Sequence, residues 1–411
     1  MQNSQSYSIS EKIVFGLTYT LFVSMFMFGD TNLANGLLFA QALLILVISN
    51  FKLNVHRYHI FCFQFCLYCY MTTFWALNGK MSIDSGNTIF RTLMITSVLY
   101  SFYAVTPNNV RILTKIVMWG GYTIVIYTYF FYGFDRIVSM DEESGRITNK
   151  FNNVNTIGML AAIAIIIHAY YSMFEKFSKT IFLAIPALFV IGATQSRKAI
   201  IELVMGIVML YFFKSIRGPK NNLLPIAKFL FAIVTIILLL IYLSKSGLFF
   251  GLTERMEGLW ASITGEGEVD MSTELRDEYR RIGWQNFLEN PIFGIGIGNS
   301  PIALSREGFK HTYTHNNFVE MLCCGGIVGF ISYYSIFFYL LSQEMKFLKK
   351  DKLATLYLVW IICIIATDWG AVRYFHKDTY FILMIFFLHV DEMKKKYSIN
   401  YRFQKSRITT Y

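Results

Sequence analysis

The sequence predicts an all-α polytopic membrane protein, and three observations predict it. Of its 411 residues, 55% are hydrophobic and only 15% charged, where a soluble chain carries roughly 25% charged residues. The apolar residues fall in runs of about 20, the length that crosses a bilayer as a helix. Tracts such as Ile233 to Leu240 are apolar all round, which a surface helix is not.

Taken in order, the runs predict about twelve transmembrane helices, near 12–28, 33–49, 58–77, 88–105, 112–133, 153–172, 180–195, 198–213, 224–243, 317–341, 353–371 and 379–391. The seventh and eighth are short and tightly joined. No internal repeat and no soluble domain boundary interrupt them, so residues 1–411 read as a single integral-membrane domain. No cleavable signal peptide is expected: the first apolar run follows only Lys12, with no small-residue cleavage site.

Charge orients the bundle. With both termini in the cytoplasm, the clusters Lys214/Arg217/Lys220/Lys228, Lys346/Lys349/Lys350/Lys352 and Lys394/Lys395/Lys396 all fall inside. The +11 net charge is then mostly topology. It does not argue for a nucleic-acid partner. Of the six cysteines, Cys62, Cys66 and Cys69 share one helix face as packing residues, and Cys323-Cys324 read as inert.

Two loops are long, and both fall outside. One runs from Phe134 to Phe151. The other, 244–316, is a large extracytoplasmic loop between the ninth and tenth spans; loops of such length are usually functional or disordered. Within it, residues 272–290 predict an amphipathic helix. Ser272 and Thr273 can cap it, Leu275, Tyr279 and Ile282 recur at helical spacing, and Pro291 stops it. Arg276, Arg280 and Gly283 lie on its other face. The acidic, Gly-rich stretch 265–270 before it reads as mobile.

The residues able to do chemistry gather around that loop. Gly294-Ile-Gly-Ile-Gly298 follows no parallel strand, so it reads as a tight re-entrant turn rather than a dinucleotide fingerprint. Beyond it come His311 and His315, the latter leading through Asn316, Asn317 and Glu320 into a long apolar helix. Ionisable groups at a membrane surface are costly and usually functional. His311 and His315 stand one helical turn apart, but Thr312 excludes a His-Glu-x-x-His zinc motif. Upstream, Ser196-Arg197-Lys198 sits at the exterior end of a span, against the charge rule, with Glu202 within reach of Arg197 or Lys198. Asp368, Arg373 and His376 close the eleventh span on the same side.

Four of these stretches together resemble the O-antigen polymerase and O-antigen ligase superfamily, integral-membrane glycosyltransferases acting on lipid-linked sugars. They are Phe151-Asn-Asn-Val-Asn155-Thr-Ile-Gly158, Ala193-Thr-Gln-Ser-Arg197, Arg276 with Trp284 and Asn290-Pro-Ile-Phe-Gly294-Ile-Gly296, and His315-Asn-Asn-Phe-Val-Glu320 with Gly326-Ile-Val-Gly329. Val154 stands where the family commonly has Pro, and the likeness covers about 150–330. The resemblance implies catalytic roles for His315, Arg276 and Arg197. It implies substrate-binding roles for Arg280, His311, Asn316, Glu320, Trp284 and Arg373.

The implied activity is a metal-independent glycosyltransferase with no cofactor, working on polyprenyl-pyrophosphate-linked oligosaccharide in a bacterial cytoplasmic membrane. Arg suits the pyrophosphate because its planar fork matches phosphate and stays charged. A His suits the acceptor hydroxyl because its pKa lies near working pH. One reading is a polymerase of O-antigen or capsular repeat units. Another is the ligase that moves finished polysaccharide onto lipid A core. A flippase-like transporter is a third, disfavoured by the missing repeat. Membrane lipid, a chain-length regulator and a flippase are the partners the resemblance implies.

Overall fold

The computed structural model describes residues 7–28, 32–50, 55–139, 147, 151–216 and 271–408, and among these every regular element is helical. The expected ninth span and the 265–270 stretch lie outside the described residues. The described helices are α1 (Ile9–Met27), α2 (Asn32–Ile48), α3 (Arg57–Met71), α4 (Gly79–Tyr103), α5 (Asn109–Tyr132), α6 (Phe134–Ser139) and α7 (Val154–Phe174). They continue with α8 (Ala184–Thr194), α9 (Arg197–Ile216), α10 (Met271–Glu289), α11 (Ser300–Arg306), α12 (Asn317–Phe347), α13 (Leu353–Thr367) and α14 (Lys377–Ile408).

By length and apolar composition, α1, α5, α7, α9 and α12 can each cross a membrane. The apolar helices in α2, in the 3₁₀ turn plus α8, and in α13 are shorter. The third, fourth and twelfth expected spans also fold as helices. Of these α3 has 15 residues, the first half of α4 carries Lys80, Asp84 and Arg91, and α14 carries charge at both ends. All six cysteines are buried and free.

The architecture brings one end of many helices together. Helices α4, α7, α9, α12 and α14 begin there, and α1, α3, α8 and α13 finish there. Small residues set the spacing at that end. A Cβ on Gly158 of α7 would lie 2.7 Å from Thr194 Oγ1 and 3.1 Å from Ala199 Cβ, so glycine lets α7 press against the α8–α9 corner. Across the same end lie α10, the Gly-rich turn and α11.

The Gly-rich turn is built into a break in α12. Gly326 has φ +59° and ψ −165°, conformations for which glycine carries no Cβ penalty. Ile327 and Val328 donate not within the helix but to Pro291 O (2.9 Å) and Ile292 O (3.1 Å). The carbonyls of Cys323 and Cys324, freed by that loss, accept from Ile295 N (3.0 Å) and Gly296 N (2.9 Å). Each backbone bond lost by the helix is therefore replaced from the turn, as an apolar surround requires. A Cβ on Gly326 would lie 2.3 Å from Ile292 O, and one on Gly294 2.5 Å from the Cys324 backbone.

Candidate active site

The site forms where α10 lies over the starts of α9 and α12. Gly283 is the contact point, since a Cβ there would meet Val319 Cγ1 at 2.7 Å and Thr314 Cγ2 at 2.9 Å. Tyr279, Ile282 and Leu304 form a small buried core with Phe309 beneath the helix. Leu275, on the same expected apolar face, is left 38% exposed.

Arg197 begins α9 two residues after Gln195, which closes α8 in the left-handed region at φ +47°. Its Nη1 donates to the buried Thr273 Oγ1 at 3.2 Å. Arg276 is one helical turn beyond Thr273, so both arginines belong to one neighbourhood. His315 faces it from the turn before α12 and also has a left-handed backbone, φ +57°. Such strain in a non-glycine residue persists only where its surroundings over-determine it.

Those surroundings are specific. The His315 ring stacks on Tyr279 (centroids 6.0 Å, 22°) and lies 4.4 Å from the ring centroid of Tyr313. Asn316 caps α12, its Oδ1 accepting from Phe318 N (2.9 Å) and Val319 N (3.1 Å). Its Nδ2 is buried with no partner among the described residues, an orphan donor beside the histidine that calls for an explanation. Glu320 is fully buried and holds the turn from below. Its Oε1 accepts from Ser300 Oγ (2.6 Å), and its Oε2 from Thr314 N (3.0 Å) and Thr314 Oγ1 (2.9 Å).

Electrostatically the site is crowded with cations. Burial lowers the His315 pKa, and Arg276, Lys198 and Arg280 add repulsion, taking it down to about 4. The imidazole is therefore neutral at ordinary pH. Burial and Arg276 also lower the Arg280 pKa, while burial raises that of the Tyr313 phenol.

The three arginines of α10, alike in chemistry, separate by place. Arg276 acts electrostatically on His315 and Tyr313. Arg280 pairs with Asp277 and lies 5.9 Å from the Trp369 ring centroid. Arg281 is exposed and bound to Glu278 (2.7 Å) and Gln285 (3.1 Å).

Other expected residues lie elsewhere. His311 is exposed. Trp284 is 46% exposed and packs on Phe287. Arg373 is ion-paired with Asp368 (2.7 Å). That pair belongs to a buried knot in which Asn317 donates to Tyr334 OH (2.9 Å) and Asp368 Oδ2 (3.2 Å) and accepts from Arg373 N (3.1 Å). Glu202 does not pair with Arg197 or Lys198. It lines a cavity with Arg373, and its Oε2 has no partner among the described residues. Missed in the sequence were Lys198 as a site cation, Tyr313 as an aromatic wall, and Ser300 and Thr314 as the partners of Glu320. Only the adjacency of Lys198 to Arg197 could have flagged one of them.

Residues 181–334 match the O-antigen ligase family model. The match supports the O-antigen ligase and polymerase superfamily for this chain, and its range contains Arg197, Arg276 and His315. The family implies a glycosyltransferase-like activity in general and suggests lipid-linked oligosaccharide substrates in a membrane. No curated protein matches the chain. In O-antigen ligase terms, the matched range covers α8 to the first half of α12, the part of the fold that assembles the histidine and the arginines.

Proposed function

We propose that the protein is a repeat-unit polysaccharide polymerase. It transfers a growing glycan from polyprenyl pyrophosphate to a hydroxyl of the next lipid-linked repeat unit. The observation that carries the transferase chemistry is His315 set among Lys198, Arg276 and Arg280, with Arg197 bonded to Thr273 on the helix that carries Arg276, a base beside an anion seat.

The acceptor hydroxyl gives its proton to an imidazole nitrogen of His315 as its oxygen bonds to the anomeric carbon. The bond from that carbon to the pyrophosphate breaks, and its electron pair leaves with the pyrophosphate. Arg197 and Arg276 meet the charge that grows there, where fixed cations are most effective. Glu320 acts as a positioning residue through Thr314 and Ser300, and the orphan Asn316 amide is a donor for a substrate oxygen. Substrate-binding roles for His311, Trp284 and Arg373 have only the resemblance behind them.

The site faces the cell exterior in this reading, with the termini cytoplasmic. Lys346, Lys349, Lys350, Lys352 and Lys394 to Lys396 all sit at the helix ends away from His315, as the positive-inside rule requires. The matched family is described as an O-antigen ligase, which does not separate the ligase reading from the polymerase. Reconstituting the protein with a lipid-linked repeat unit, alone or with lipid A core, separates the two. A product ladder from the repeat unit alone supports the polymerase, whereas product only when core is added overturns it for the ligase.

A further inference from the structure

A second cavity, of about 960 Å³, opens between α1, α2, α4, the start of α7 and the turn before α14. None of His315, Arg276 and Arg197 lines it. Its volume falls in the range of sites for sizeable ligands. Helices α2, α7 and α14 begin at it, so it opens at the same end of the bundle as the histidine.

Its wall is built for an anion. Arg91 and Lys377 line it from α4 and α14. Lys377 Nζ donates to Asn35 Oδ1 at 2.7 Å, which holds its charge at the wall. The N-terminus of α7 points there too, with the N-cap Asn153 and Thr156 of the first turn in the wall. The end of a 21-residue helix adds partial positive charge. Asp378, the one carboxylate in the lining among the described residues, lies 3.7 Å from His376 Nδ1. Phe39 and Ile95 make the facing surface apolar. Two cations and a helix N-terminus over an apolar floor suit a phosphorylated lipid.

We propose that this cavity seats the pyrophosphate of the acceptor lipid, apart from the donor seat at Arg197 and Arg276. The inference rests on the polymerase reading. In polymerisation both substrates carry polyprenyl pyrophosphate. On the acceptor that group occupies the anomeric oxygen of the repeat unit, so the attacking hydroxyl lies elsewhere on the glycan. The acceptor's anchor must then stand away from His315 by some part of a repeat unit. The cavity is linked to the catalytic turn. It shares Thr156, His376 and Asp378 with the smaller cavity lined by Arg373, and Arg373 N is held by Asn317, two residues from His315.

The test uses the full-length protein in lipid nanodiscs with farnesyl pyrophosphate as probe. The wild type should bind two equivalents, one lost in R91Q/K377Q and the other in R276Q. R91Q/K377Q binding as many equivalents as the wild type would overturn the proposal. So would displacement from the Arg91 seat by inorganic pyrophosphate at equal concentration, which marks a free-anion site. Should the double variant not fold, the exposed Arg91 allows the single R91Q. In transfer assays R91Q should raise the acceptor KM about tenfold, the loss of one charge-assisted contact, with the donor KM unmoved. An unmoved acceptor KM sinks the cavity and leaves the polymerase standing. Two-equivalent binding with no ladder sinks the polymerase reading instead.

Discussion

Two histidines of this chain occupy opposite electrostatic settings. His315 lies among Arg276, Lys198 and Arg280 and has no carboxylate partner among the described residues. His389 is 1% exposed, with Nδ1 2.9 and 3.0 Å from the two oxygens of the buried Glu344 and Nε2 3.7 Å from Asp351. The second is complete within the protein. It ties α12 to α14 at the end of the bundle remote from the site. The first is a concentration of like charge, in which Arg280 also pairs with Asp277. A histidine closed by carboxylates marks structure, and one ringed by cations fits an anionic substrate.

The largest expected effect breaks this comparison or upholds it. His315→Ala should lower transfer by ~10²–10⁴, the usual share of a positioned acid–base group, while the protein melts near the wild-type temperature. His389→Ala should instead cost ~3–5 kcal/mol of stability, because it leaves Glu344 buried without its partner. Polymer length on the lipid carrier and thermal melting, measured on both variants, decide it. Wild-type polymer from His315→Ala would end the mechanism.

A smaller effect should separate the arginines of α10. Arg276→Lys keeps the charge but loses the bidentate fork, and transfer should fall roughly 10–100-fold, the worth of a charge-assisted hydrogen bond. Arg281→Ala, an exposed residue with only local partners, should change little. Equal losses from both would show that the helix supplies a diffuse field and not a clamp.

The smallest effect is in pH. Because the folded pKa of His315 lies below the unfolded one, its neutral form is favoured by folding. That contribution to stability is whole above about 6.5 and is lost as pH falls from there to about 4. The acid limb of kcat/KM, which reports the free enzyme, should accordingly fall near 4. Bound pyrophosphate offsets the cations, so the limb of kcat should move upward, towards the ordinary histidine range. An acid limb of kcat/KM already at 6.5 or above would remove His315 from the role of base.

Much of this was present in local pattern. The span of α10 was expected as 272–290 and forms as Met271–Glu289, because capping residues, apolar spacing and Pro291 are all local signals. The break at Gly326 was foreshadowed by glycines but not derivable, since it needs the 291–296 turn to take over the bonds of Cys323 and Cys324. Chemistry alone left Arg276, Arg280 and Arg281 equal.

The sequence by itself determined a helical membrane protein and its tightly joined α8–α9 pair, which follow from composition and periodicity acting over neighbouring residues. The residue types suited to a lipid-linked sugar came from the family resemblance. Only the tertiary structure decided that Arg197 meets Thr273 beside Arg276 and that Lys198 adds its charge to His315. It alone turned Glu320 into a buried brace and set Arg91, Lys377 and the start of α7 around one cavity. These are contacts between residues far apart in the chain, fixed by where glycines let helices touch and by where buried polar groups find partners.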